Sequence, residues 1–116
     1  MDPQRRLTGA ARATVLIFIA MNRAEVVKLL REHDADLRRF GVRALSLFGS
    51  MARDDARPDS DVDVLVEFEG DPTFDGYVGL SLFLEELLGR RVDVVTRDGI
   101  KPRARAVIER DLLRVA

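Results

Sequence analysis

The sequence predicts an α/β domain, a small sheet of three or four short strands flanked by helices. Stretches with helical apolar spacing alternate along the chain with short β-branched runs. One of these runs, residues 61–68, places Asp61, Asp63, Leu65 and Glu67 on one side and Val62, Val64, Val66 and Phe68 on the other. That is the period of a strand. Glycines stand where one pattern gives way to the next, at Gly41, Gly49, Gly70 and Gly89.

In chain order, Asn22 followed by Glu25 reads as a capping box. It opens a helix whose apolar positions Val26, Val27, Leu29, Leu30 and Leu37 recur with helical spacing up to Gly41. His33 has charged neighbours on that helix and is expected to face solvent. Val42 to Phe48 suits a buried strand, which Gly49-Ser50 ends sharply. Residues 50–53 then begin a short helix with Ser50 as its expected cap. A polar loop over 54–60 leads into the alternating strand.

Gly70-Asp71-Pro72 breaks the chain before a helix from about Asp75 to Leu88, whose broad apolar face includes Val78, Leu82 and Leu87. Phe74, Tyr77 and Phe83 are expected to pack in the core or an interface rather than stack on a base. Arg91 to Thr96 forms a third strand. Pro102 opens a last helix, roughly 102–111, and Leu112 to Ala116 is a short, extended end. No linker or repeat interrupts residues 22–116, so they are expected to form one domain.

Residues 1–21 read as an N-terminal extension, with Met21 a possible natural start. Arg5, Arg6 and Arg12 before the apolar run Ala13 to Met21 resemble the opening of a secretory signal. That run is too short to cross a bilayer, and no small-residue cleavage site follows it. A cytoplasmic protein is the expectation.

Composition narrows the chemistry. A formal net charge of -1 argues against a general nucleic-acid or membrane-surface binder. The basic cluster Lys101, Arg103 and Arg105 is too small to reverse that expectation. Cysteine is absent and His33 is the single histidine, so neither disulfides nor thiolate or His-rich metal sites are available. Any metal must be held by carboxylates, which favours magnesium or manganese.

The informative unit is Gly49-Ser50, ten residues, then Asp61-Val62-Asp63. A glycine after a strand lets the backbone turn tightly and approach a ligand. The N–H groups that follow, with the Ser50 hydroxyl, suit a phosphate. Asp61 and Asp63 lie two apart on a strand, so both carboxylates share a face. Side by side they repel unless a proton or a cation intervenes. Asp93 is a charged residue in an otherwise apolar strand, costly to bury without a partner. If its strand lies beside residues 61–68, the three carboxylates can converge on two magnesium ions. Asp93 is then also placed to accept a proton from an incoming hydroxyl.

Leu47-Phe48-Gly49-Ser50, Ala52-Arg53, residues 58–66 and Val92-Asp93-Val94-Val95 resemble the DNA polymerase β-like nucleotidyltransferases. Within that superfamily the chain is similar to the MNT group, the minimal nucleotidyltransferase antitoxins paired with HEPN toxins. The resemblance covers about residues 22–116 and implies the nucleotidyltransferase fold with its mixed sheet. It further implies magnesium-dependent transfer of AMP from ATP to a tyrosine of a HEPN toxin, which is thereby silenced. Carried over, Gly49 and Ser50 bind phosphate, while Asp61, Asp63 and Asp93 are the metal ligands and catalytic residues.

Two other functions stay open: a non-catalytic antitoxin that acts by binding, and a nucleotidyltransferase acting on a small molecule or RNA. Asp54 stands where many relatives have glycine, and an inward-pointing carboxylate there would weaken nucleotide binding. Arg53 and Arg57 lie close enough to the turn to invite a triphosphate role, although surface arginines are commonly just solvated. A domain this small is expected to receive its acceptor from another molecule.

Overall fold

The computed structural model describes residues 22–57 and 59–116. The N-terminal extension and its secretory or alternative-start readings lie outside the described residues. Helices α1 (Arg23–Glu32) and α2 (Asp34–Arg39) lead into β1 (Val42–Phe48), and the short α3 (Gly49–Arg53) follows at once. Strand β2 (Val62–Phe68), helix α4 (Phe74–Leu88) and strand β3 (Val92–Thr96) come next. A 3-10 turn (Arg97–Gly99), helix α5 (Pro102–Arg110) and strand β4 (Leu113–Arg114) complete the chain.

The four strands make one mixed sheet, as expected, and their order is β3-β2-β1-β4. β1 runs antiparallel to β2 and to β4, whereas β2 and β3 are parallel. A parallel pair needs a crossover, and α4 supplies it. Val62, Val64 and Val66 of β2, with Val92 and Val94 of β3 and Leu45 and Leu47 of β1, belong to the core. Val26 and Leu30 of α1, Leu37 of α2 and Leu80, Leu84 and Leu88 of α4 complete that core. The odd-numbered residues of β2 take the other face. Leu65 is buried there, while Asp63 at the strand's start is only half-buried.

Several local expectations change. The first helix is two: His33 ends α1 and precedes α2, its backbone bent to φ -108° and ψ 26°. Its ring does not simply face solvent. Nδ1 lies 2.9 Å from the Leu29 carbonyl, and the half-buried ring meets Phe83 edge-on at 6.2 Å. The capping side chain of Asn22 is as expected, accepting a hydrogen bond from the Glu25 N–H at 3.0 Å.

Ser50 is not a cap. Gly49 is already the first residue of α3, Phe48 takes the cap position, and no side chain bonds there. On α4 the buried positions are Leu80, Leu84 and Leu88, four residues apart, whereas Leu82 is 60% exposed. Tyr77 and Phe83 pack against the core, but Phe74, at the first turn of α4, is 80% exposed.

Candidate active site

β1 delivers Gly49 at its end, and the pairing of Phe48 with Asp63 brings that end to the start of β2. Gly49 sits at φ +70°, a left-handed conformation that only glycine adopts readily. Its missing side chain matters as much as its backbone. A Cβ built there would come closer to Asp63 Oδ2 than van der Waals contact allows. The turn and the central carboxylate are therefore in direct contact.

The parallel register sets Asp63 opposite Asp93, with Val62 opposite Val92 and Val64 opposite Val94. The flanking valines go into the core and the two aspartates share the opposite face. Asp61 lies just before β2, two residues from Asp63 and hence on the same side. Asp61 and Asp93 are exposed, Asp63 is half-buried, and none of the three enters an ion pair among the described residues.

Electrostatics identify Asp63 as the centre of the group. Burial raises its pKa from 3.8 to about 6, and the charges of Asp93 and then Asp61 push in the same direction. Arg53 opposes them. Such a site gains from a cation that replaces the proton. The donor set is all carboxylate oxygen, which suits a hard divalent ion. Among the described residues the three side chains do not yet stand as a preformed ligand cluster. The residues fit magnesium by chemistry and by shared face.

The other expected residues are placed as follows. Ser50 follows Gly49 within α3 and is half-buried. Asp54 caps the end of α3 at φ +63°, is exposed, and accepts a hydrogen bond from the Arg23 N–H at 3.2 Å. It therefore engages the start of α1. Arg57 is exposed on the loop.

Arg53 is more constrained than a solvated arginine. Its Nη1 donates to Asp111 Oδ2 at 2.8 Å and its Nε to Asp55 Oδ2 at 3.2 Å. These bonds, that to Asp111 foremost, raise its pKa above the ordinary value. Asp111 was missed in the sequence because it lies 58 positions from Arg53 and no local pattern marks it.

Comparison with known proteins agrees with this fold. The nucleotidyltransferase domain family matches residues 27–115. A protein adenylyltransferase of Thermococcus cleftensis, MntA, is 41% identical over 92 residues, covering 78% of this chain and 93% of its own length. A solved structure provisionally named a minimal nucleotidyltransferase superposes with a TM-score of 0.70 at 40% identity, covering 81% of this chain and 96% of that one. A toxin–antitoxin crystal structure with AMP-PNP shares the fold at a TM-score of 0.60 and 20% identity, covering 83% of this chain and 73% of that one. The chain belongs to the nucleotidyltransferase family, in its minimal, MNT-type branch.

Proposed function

We propose that this chain is an antitoxin that transfers AMP from ATP to a tyrosine hydroxyl of a HEPN-type toxin and so neutralises it. One observation carries the reading: Gly49, a turn built for close backbone approach, lies directly against Asp63, whose neighbour in register is Asp93. A phosphate bound at the turn would lie beside the carboxylates that the reaction needs. The name of the Thermococcus cleftensis relative supports adenylyl transfer to a protein. A toxin as acceptor is in keeping with the toxin–antitoxin structure of the same fold.

Within that reading Gly49 admits the phosphates and the Ser50 hydroxyl donates to one of their oxygens. Asp61, Asp63 and Asp93 would hold two magnesium ions. When bound, these supply the positive charge that gathers the phosphates and offsets charge on the leaving oxygens. The tyrosine oxygen attacks the α-phosphorus, the bond to pyrophosphate breaks, and the Asp93 carboxylate takes the hydroxyl proton. The outward placement of Asp54 takes away the one sequence feature that favoured a non-catalytic antitoxin.

The test is incubation of the chain with the toxin, α-labelled ATP and magnesium. Label should enter the toxin at tyrosine and its toxicity should fall. An Asp61→Asn variant that labels the toxin at the wild-type rate would sink the proposal, as would toxin labelled at another residue type.

A further inference from the structure

We propose that Asp111 is a positioning residue of the nucleotide site, holding the Arg53 guanidinium beside the phosphate-binding turn so that it can receive the triphosphate. This rests on the nucleotidyltransferase reading and extends it to the C-terminal segment, where the sequence shows no motif. The geometry begins with β1. That strand runs directly into Gly49, and Arg53 ends the single short helix that follows. The same strand fixes Asp111.

Leu47 pairs with Leu113 and Ser46 with Arg114, while the Val115 N–H donates to the Leu45 carbonyl at 2.9 Å. The Leu45 N–H donates to the Ala116 carbonyl at 3.0 Å. The chain end is thus zipped along β1, and Asp111 is held between α5 and β4 beside α3.

Burial distinguishes this pair from a casual surface contact. The Asp111 side chain is 11% exposed, whereas that of Arg53 is 46% exposed. A carboxylate removed from water to that degree needs a strong partner, and a bond of 2.8 Å to a guanidinium provides one. The arginine is anchored at Nη1 and Nε, while its Nη2 makes no hydrogen bond among the described residues. A guanidinium held at two of its nitrogens, with the third still open, is prepared to accept a phosphate oxygen with little loss of freedom. Its charge already reaches Asp63, the central carboxylate.

The experiment is a double-mutant cycle read by titration with the fluorescent analogue MANT-ATP in magnesium. Asp111→Ala should weaken binding about tenfold, the scale of one charge-assisted bond. Asp111→Glu should restore most of it, and KM for ATP should rise with kcat little changed. Arg53→Ala should lose at least as much. Adding Asp111→Ala to Arg53→Ala should then do no further harm, because Asp111 acts only through Arg53.

Unchanged binding in folded Asp111→Ala overturns the inference, and so does an equal loss on both arginine backgrounds. Thermal melting of each variant supplies the fold control. If Asp111→Ala does not fold, the Asp111→Glu and Asp111→Asn pair carries the same comparison. A wild-type chain that binds no MANT-ATP overturns the proposed function and this inference together. Wild-type binding with an unaffected Asp111→Ala overturns this inference alone.

Discussion

At Gly49 a backbone requirement and a steric one coincide. The residue adopts φ +70°, and the space of its absent side chain belongs to the Asp63 carboxylate. Gly49→Ala should cost about 1–2 kcal/mol in backbone strain alone. It should also displace Asp63, so kcat/KM for AMP transfer should fall by about 100-fold or more, far beyond what the loss of stability explains. Steady-state kinetics beside a melting curve separates the two effects.

Asp63 itself predicts an inverse relation between stability and activity. Its folded-state pKa of about 6 lies above the ordinary 3.8, so the folded state binds the proton more tightly. Below the ordinary pKa there is no penalty. Stability falls as pH rises through the interval up to about 6, and the loss is constant above it. Asp63→Asn should therefore stabilise the metal-free protein at pH 7 by about 1–2 kcal/mol, discounted for partial exposure, while abolishing transfer. Melting of both proteins across pH checks the sign, and the difference should vanish near pH 3.5. These residues were legible in the sequence because strand periodicity alone puts Asp61 and Asp63 on one face. Asp111 was not, since its bond to Arg53 depends on where the chain end docks.

Helix starts divide into those fixed by local chemistry and those fixed by their surroundings. At α4 the local signal is sound: the Thr73 hydroxyl accepts from the Gly76 N–H at 2.9 Å, and Thr73→Ala should cost about 1 kcal/mol. At α3 it is not, because Gly49 enters the helix itself and Ser50 bonds no backbone N–H there. Ser50→Ala should then change stability by less than about 0.5 kcal/mol, yet weaken nucleotide binding, since the proposed function assigns its hydroxyl to the phosphates. Chemical denaturation paired with MANT-ATP titration tests both halves; a loss of stability at Ser50 equal to that at Thr73 would restore the capping role. The same distinction explains the break at His33. No glycine or proline marks it, and periodicity runs through it; at the bend the ring meets Phe83 edge-on, a contact that only the folded chain provides. The apolar face of α4 was legible only in outline. Which leucines of a leucine-rich helix are buried depends on how it crosses the sheet, and Leu80, Leu84 and Leu88 are chosen over Leu82.

For the molecule as a whole, the order β3-β2-β1-β4 places the two chain segments that carry acid, 61–63 and 93, on adjacent parallel strands. The sequence supplied the strands, whereas the two-residue β4 was recognisable only once it had β1 to pair with. Gathering like charges on one sheet face couples the site to global stability. Any cation that binds there binds the folded state alone, because the unfolded chain does not bring Asp93 to Asp63. Magnesium at a hundred times its dissociation constant should therefore stabilise the domain by about 2.7 kcal/mol. For a domain of this size that corresponds to a rise in Tm of roughly 10 °C. The rise should be largest above pH 7, where Asp63 is deprotonated, and should shrink as pH falls through about 6 and protons compete for the same oxygens. EDTA should reverse it. In Asp61→Asn/Asp63→Asn the unliganded protein should melt higher than wild type and respond little to magnesium. A double variant whose Tm still climbs with magnesium as steeply as wild type would place the ion elsewhere on the molecule.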